Sequence, residues 1–255
     1  MKSGYIDLRG HQTFVYEWAN NGEALVMFHG GLSQTSHFDY AVLPAVEDSH
    51  HVFAYDRTAH GFTGDREGSL HFEYQYAEAV SYLEDVVKEP AHLIGYSDGA
   101  IVALMVAMRR PELVKSVVSF GGNFHHNGTL PLPDFSGFIS PEDRAEYAIT
   151  SPDAPETLDK KNERMTAIWR SEPTFTVADI AEIKCPVLVL VGDDDVITHK
   201  HSVLLYESIP QGQLAVIPGT SHQAHKEKPE IFQLLIREFL NNLEYPQTMM
   251  PQRRT

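Results

Sequence analysis

Short apolar runs alternate with longer helix-favouring ones along this chain, and that rhythm constrains its fold more than any other feature. Runs at residues 24–28, 51–55, 91–95, 114–120, 186–191 and 214–217 have the length and composition of buried strands. Helical stretches are expected at 35–46, 72–88, 100–109, 200–208 and 229–243. Strands alternating with helices predict an α/β fold with a mostly parallel, doubly wound sheet covered on both faces. Ahead of this, residues 12–18 are rich in β-formers, and Asn20-Asn21-Gly22 predicts a hairpin turn into the next strand. The rhythm breaks at 123–182, which holds prolines and acids but no clear strand. There, 140–149 and 155–169 look helical, with Pro141 and Pro155 suited to helix starts. The expectation is an α/β core of residues 1–122 and 183–245, a helical cap inserted at 123–182, and a frayed tail at 246–255.

A length of 255 residues with 42% hydrophobic content supports one substantial core. Formal net charge is −15, from 20 basic and 35 acidic residues. Nucleic acid and an anionic membrane are therefore poor partners for the surface, and a small-molecule substrate is expected instead. A single cysteine, Cys185, excludes an internal disulfide and fits a reducing compartment. The N-terminal residues MKSGYIDLRG hold no apolar signal core, and no apolar run approaches membrane-spanning length. A cytoplasmic protein is the expectation. Nothing in the sequence points to an oligomeric state.

The stretch 92-HLIGYSDGAIVALMVAMRRPELV-114 carries the chemistry. Ser97 lies where a strand-like run stops and a helix-like run begins. Gly95 and Gly99 flank it and permit a tight turn. Such a turn presents a hydroxyl at the carboxyl end of a strand, where ligands gather in parallel sheets. The polar residues at the other strand ends include His29-Gly30-Gly31, Asp56-Arg57, Asn123, Asp193-Asp194-Asp195 and Gly219-Thr220-Ser221-His222. A serine nucleophile needs a base such as imidazole, and the imidazole needs a carboxylate to fix its tautomer. Serine, carboxylate and histidine all appear, in that chain order. His225 is a rival to His222, and Asp193 and Asp194 are rivals to Asp195.

Gly95-Tyr96-Ser97-Asp98-Gly99 resembles the nucleophile elbow of the α/β-hydrolase family. His29-Gly30-Gly31 is similar to its oxyanion loop. Val189-Leu190-Val191-Gly192-Asp193-Asp194-Asp195 is similar to its acid loop, and Pro218-Gly219-Thr220-Ser221-His222 to its histidine loop. The resemblance covers nearly all of the chain except the cap. It implies Ser97 as nucleophile, His222 as base and Asp195 as the acid, three residues beyond Gly192. It also implies an oxyanion hole made by the backbone N–H groups of Gly31 and Asp98. A serine rather than an aspartate at the elbow argues against dehalogenase and epoxide-hydrolase chemistry.

Tyr96, Phe124, Phe138 and Trp169 are candidates to line a substrate pocket, with Phe135 and Tyr147 as further cap aromatics. Clusters among the 14 histidines, such as His125-His126, lack the spacing of a metal site, so no metal is expected. The chemistry of such a triad needs no cofactor. The leading expectation is a serine hydrolase acting on a small carboxylic ester, thioester, lactone or amide. A lyase or carbon–carbon bond hydrolase with the same triad, or a non-catalytic ligand receptor, are the alternatives.

Overall fold

The strand-like runs of the sequence pair into one eight-stranded sheet. The computed structural model describes residues 1–131, 139–244 and 248–252. In chain order the strands are β1 (Lys2–Leu8), β2 (His11–Trp18), β3 (Ala24–Phe28), β4 (His51–Tyr55), β5 (Ala91–Tyr96), β6 (Val114–Phe120), β7 (Val187–Asp194) and β8 (Gly212–Ser221). Their spatial order is β1-β2-β4-β3-β5-β6-β7-β8. β2 runs antiparallel to both β1 and β4, and every pairing from β4 onward is parallel.

The central strands are apolar at nearly every position because both of their faces are covered. Alternate side chains of β3 divide between the faces. Ala24, Val26 and Phe28 join one buried cluster with α1 (Phe72–Tyr82) and α2 (Asp98–Arg109). Leu25 and Met27 join the other, with Phe232, Ile236 and Phe239 of α8 (Pro229–Asn241). Between β6 and β7 lie α3 (Pro141–Thr150), α4 (Thr157–Trp169) and α5 (Val177–Ile180). Their segment is tied to the loops of the sheet by polar pairs. Glu146 meets His37 at 2.9 Å, Arg164 meets Asp65 at 2.5 Å, and Glu172 meets His71 at 2.5 Å. α6 (His199–Ser208) and the single turn α7 (Ala224–Glu227) complete the helices among the described residues. None of these helices is long and apolar enough to cross a membrane.

Three local expectations are corrected. Asn20-Asn21-Gly22 does not close a hairpin, because β4 lies between β2 and β3 in the sheet. The hairpin is β1–β2, closed by Arg9 and Gly10, both at positive φ (56° and 75°). That pair of conformations matches the right-handed strand twist in a two-residue loop. Residues 35–46 do not form an α-helix but two 3₁₀ turns, Thr35–Phe38 and Leu43–Ala45. Pro44 lies within the second and has no N–H to continue an α-helical ladder. The expected helix at 72–88 ends its α-helical part at Tyr82 and widens through Leu83–Val87 to Lys88 in the left-handed region.

Buried histidines make this core sensitive to acid. His225 sits at 0% exposure among the rings of Phe38, Tyr96, Phe120 and Phe232, with neither ring nitrogen hydrogen-bonded. Burial pushes it down to about 3, and burial likewise holds His60 at about 3 and His201 at about 4. The unfolded chain takes up these protons near pH ~6.5, so the folded state binds fewer protons below that point. Stability is therefore fully present above pH ~6.5 and falls by about 1.4 kcal/mol per pH unit per histidine as the medium is acidified towards these depressed values. We predict that the Tm falls steeply below pH ~6 and that His225→Phe makes the fall shallower. Thermal melts across this range check it; an unchanged slope in the variant would contradict the assignment.

Candidate active site

The elbow begins with a backbone that only tight surroundings hold. Ser97 lies between β5 and α2 at φ 51°, ψ −114°. For a residue with a Cβ such a conformation costs on the order of 1–3 kcal/mol. Its N–H donates to the Phe120 carbonyl at 2.9 Å, and its own carbonyl accepts from Ala100 and Ile101 at 2.9 and 3.1 Å. Strand and helix then run almost in contact. A Cβ on Gly95 would stand 2.3 Å from the Gly99 carbonyl oxygen, and one on Gly99 would stand 2.0 Å from that of Phe28. These two glycines let α2 descend directly behind β5.

The Ser97 hydroxyl meets His222, which follows the end of β8. Ser97 Oγ and His222 Nε2 are 3.0 Å apart. On the other side of the ring, His222 Nδ1 lies 2.7 Å from Asp195 Oδ1. The Asp195 side chain is 1% exposed. Burial pushes its pKa upward, but the His222 bond and charge, with the Ile197 N–H at 2.9 Å, hold it below the ordinary carboxylate value. An ionised carboxylate at this point keeps the histidine proton on Nδ1 and leaves Nε2 as the acceptor facing serine.

The two neighbouring aspartates point elsewhere. Asp193 is exposed and accepts the Thr220 N–H at 3.0 Å, which ties the acid loop to the histidine loop. Asp194 is exposed and pairs in register with Ser221 at the end of the sheet. His225, the rival base, is enclosed by aromatic rings, and neither of its ring nitrogens is hydrogen-bonded.

The remaining sequence-derived site residues divide into three groups. The first stands at the elbow. The backbone N–H groups of Gly31 and Asp98 have no protein acceptor among the described residues. The Asp98 N–H is free because it opens the first turn of α2. Tyr96 is buried, stacks on Phe120 at 4.8 Å between centroids and lies 5.2 Å from the His222 ring. Trp169, at the end of α4, donates through Nε1 to Asp98 Oδ1 at 2.9 Å. The Asp98 carboxyl is fully enclosed, and its Oδ2 has no hydrogen bond. Burial pushes its pKa up, against the Arg57 charge and the Trp169 bond.

The second group is engaged by neighbouring side chains. Phe124 is 4% exposed and stacks on His201 at 4.2 Å. Tyr147 is hydrogen-bonded to Thr157 at 2.8 Å under the ammonium of Lys161. The third group, Phe135 and Phe138, lies outside the described residues. Among the described residues no three His, Cys, Asp or Glu side chains converge closely enough to hold a metal ion. His125 and His126 stack on each other at 4.6 Å instead.

Comparison with known proteins shows the family to which the chain belongs. The sequence model of the Alpha/beta hydrolase family matches residues 25–232, and the chain belongs to that family. It is 23% identical to (E)-2-((N-methylformamido)methylene)succinate hydrolase of Acinetobacter baylyi, over 90% of this chain and 95% of that protein. It is 24% identical to pyrrolizixenacetamide deacetylase of Xenorhabdus hominickii, over 88% and 93% of the two chains. Among solved structures, a serine hydrolase involved in carbazole degradation superimposes with a TM-score of 0.77 at 19% identity, covering 94% of this chain and 98% of that one.

Crowding at the elbow gives a direct structural test. Gly99→Ala drives a methyl group into backbone rather than into a flexible side chain. The expected loss is at least the ~1–3 kcal/mol typical of overpacking, seen as a lower Tm. A Gly99→Ala protein with the parent Tm would contradict the described contact between α2 and β3.

Proposed function

We propose that the protein is a serine hydrolase that cleaves a small carboxylic ester, thioester, lactone or amide through an acyl-enzyme on Ser97. The observation that carries the reading is the unbroken chain of hydrogen bonds from Ser97 Oγ through His222 to the buried Asp195. A non-catalytic receptor has no need of a buried carboxylate aligned behind an imidazole and a hydroxyl. Two relatives named for hydrolysis and deacetylation agree with this chemical class.

In the proposed reaction Ser97 Oγ attacks the acyl carbon while its proton passes to His222 Nε2. Asp195 stabilises the imidazolium that forms. The N–H groups of Asp98 and Gly31 receive the developing oxyanion, each worth roughly 2.7–4 kcal/mol in the transition state. Collapse of the tetrahedral intermediate expels the leaving group, which takes the proton from His222. Water, activated by the same imidazole, then releases the acid and restores Ser97. Residues 123–182 act as the cap in this scheme, with Trp169 closing over the elbow through its bond to Asp98. A water-poor pocket strengthens each of these polar contacts.

A panel of activated esters and amides, with turnover followed in variants, tests the proposal. Ser97→Ala should lose on the order of 10⁶ in kcat while remaining folded. Asp195→Asn should lose up to ~10⁴, because the imidazole then takes the wrong tautomer. Asp193→Asn and Asp194→Asn should turn over close to the parent rate. Near-parent activity in Ser97→Ala would overturn the nucleophile, and a severe loss in Asp194→Asn with none in Asp195→Asn would overturn the choice of acid.

A further inference from the structure

Arg57, just past β4, is the largest of the fully enclosed side chains, at 1% exposure. A buried guanidinium needs partners; its two terminal nitrogens find one each, while its Nε has none among the described residues. Its Nη2 donates to the Gly30 carbonyl at 2.7 Å. Its Nη1 donates to Gln75 Oε1 on α1, which holds the other end of the planar fork. Its own backbone N–H donates to His29 Nε2 at 3.0 Å. Because Nε2 accepts there, the ring proton of His29 resides on Nδ1, which donates to the same Gly30 carbonyl at 2.8 Å. Burial, with the Arg57 charge, holds His29 well below the ordinary imidazole range, so the ring stays neutral and keeps this tautomer.

The Gly30 carbonyl is thus gripped by two donors from inside the protein. In a planar trans peptide, the carbonyl and the following N–H point in opposite directions. Turning the Gly30 oxygen inward aims the Gly31 N–H outward. This peptide stands beside the nucleophile, since a Cβ on Gly30 would lie 3.5 Å from Ser97 Cβ. A cation bound to the carbonyl oxygen also polarises the peptide and makes its N–H a stronger donor.

We propose that Arg57 is a positioning residue that, with His29, locks the Gly30–Gly31 peptide and aims the Gly31 N–H at the oxyanion. This inference rests on the hydrolase reading above. Its effect falls on the tetrahedral state and not on ground-state binding. Arg57 touches no reacting atom. Its charge also opposes the burial that pushes the enclosed Asp98 carboxyl upward.

The test uses full-length Arg57→Lys and Arg57→Met with p-nitrophenyl acetate as substrate and phenylboronic acid as a tetrahedral analogue. Lysine keeps the charge but cannot bridge Gly30 and Gln75 as the fork does. For Arg57→Met we expect kcat to fall by about 10- to 100-fold, less than or comparable to loss of a whole oxyanion donor. Phenylboronic acid should weaken by the same factor while KM stays near the parent value, and Arg57→Lys should be intermediate. Folding is checked by thermal melts. If Arg57→Met does not fold, Arg57→Lys carries the test, and if neither folds, Gln75→Leu, which frees the far end of the fork, does so. A folded variant with parent kcat and parent boronate affinity would overturn the inference, as would a loss confined to KM. Ser97→Ala run alongside separates the two levels. If it retains turnover the hydrolase reading fails, whereas an inactive Ser97→Ala beside a fully active Arg57 variant sinks only the positioning role.

Discussion

Ser97 is held at a positive φ on the end of β5, and the rest of the site is arranged around that conformation. An isolated turn would relax to a more populated region of backbone space. Here β5 lies between β3 and β6 in the middle of the sheet, and α2 packs hard behind it. The hydrogen bond from Ser97 to Phe120 ties the turn to β6 as well. A strand, a helix and a neighbouring strand together fix three sides of one residue. The half-buried hydroxyl is left at the carboxyl end of β5, where it meets His222.

Everything the hydroxyl meets comes from other strand ends. His222 and Asp195 follow β8 and β7, and the Asp193–Thr220 bond holds their two loops in register. The peptide at Gly30 follows β3 and is gripped by Arg57, which follows β4. Parallel strands deliver these groups to one edge because their carboxyl ends coincide. Positions far apart in the chain thus become neighbours without any long loop having to carry them. Helices α3 and α4 reach this edge through Trp169 on Asp98 and through the Glu146–His37 and Arg164–Asp65 pairs to the loops. Surface pairs of that kind contribute little individually. The apolar contacts of Met165 and Ile168 with the main core supply a firmer attachment.

Much of this was legible in the sequence, and the reasons differ by residue. The buried central strands announce themselves as unbroken apolar runs, because both faces need covering. The elbow announces itself because small residues must flank a turn that dense. Asp195 was separable from Asp193 and Asp194 only through resemblance, since three identical side chains in a row carry no direction until the loop is folded. Strand pairing was less visible. Asn20-Asn21-Gly22 looks like a hairpin, yet a turn signal does not say which strands it joins. Arg9-Gly10, the true hairpin, is a weaker motif. Phe124 is a pocket candidate in the sequence, and its stacking on His201 depends on contacts between segments that periodicity cannot reveal. Arg57 stands in the sequence as one polar strand-end residue among several, because its partners Gly30, His29 and Gln75 are brought together only by the sheet and α1.

The central claim is that Ser97 is an activated nucleophile. The most direct measurement is intact-protein mass spectrometry after brief exposure to a fluorophosphonate, followed by peptide mapping. The account predicts one added phosphonyl group per chain, located on the peptide that contains Ser97 and absent from protein unfolded beforehand. A folded chain that takes up no label, or takes it up at another residue, would contradict it.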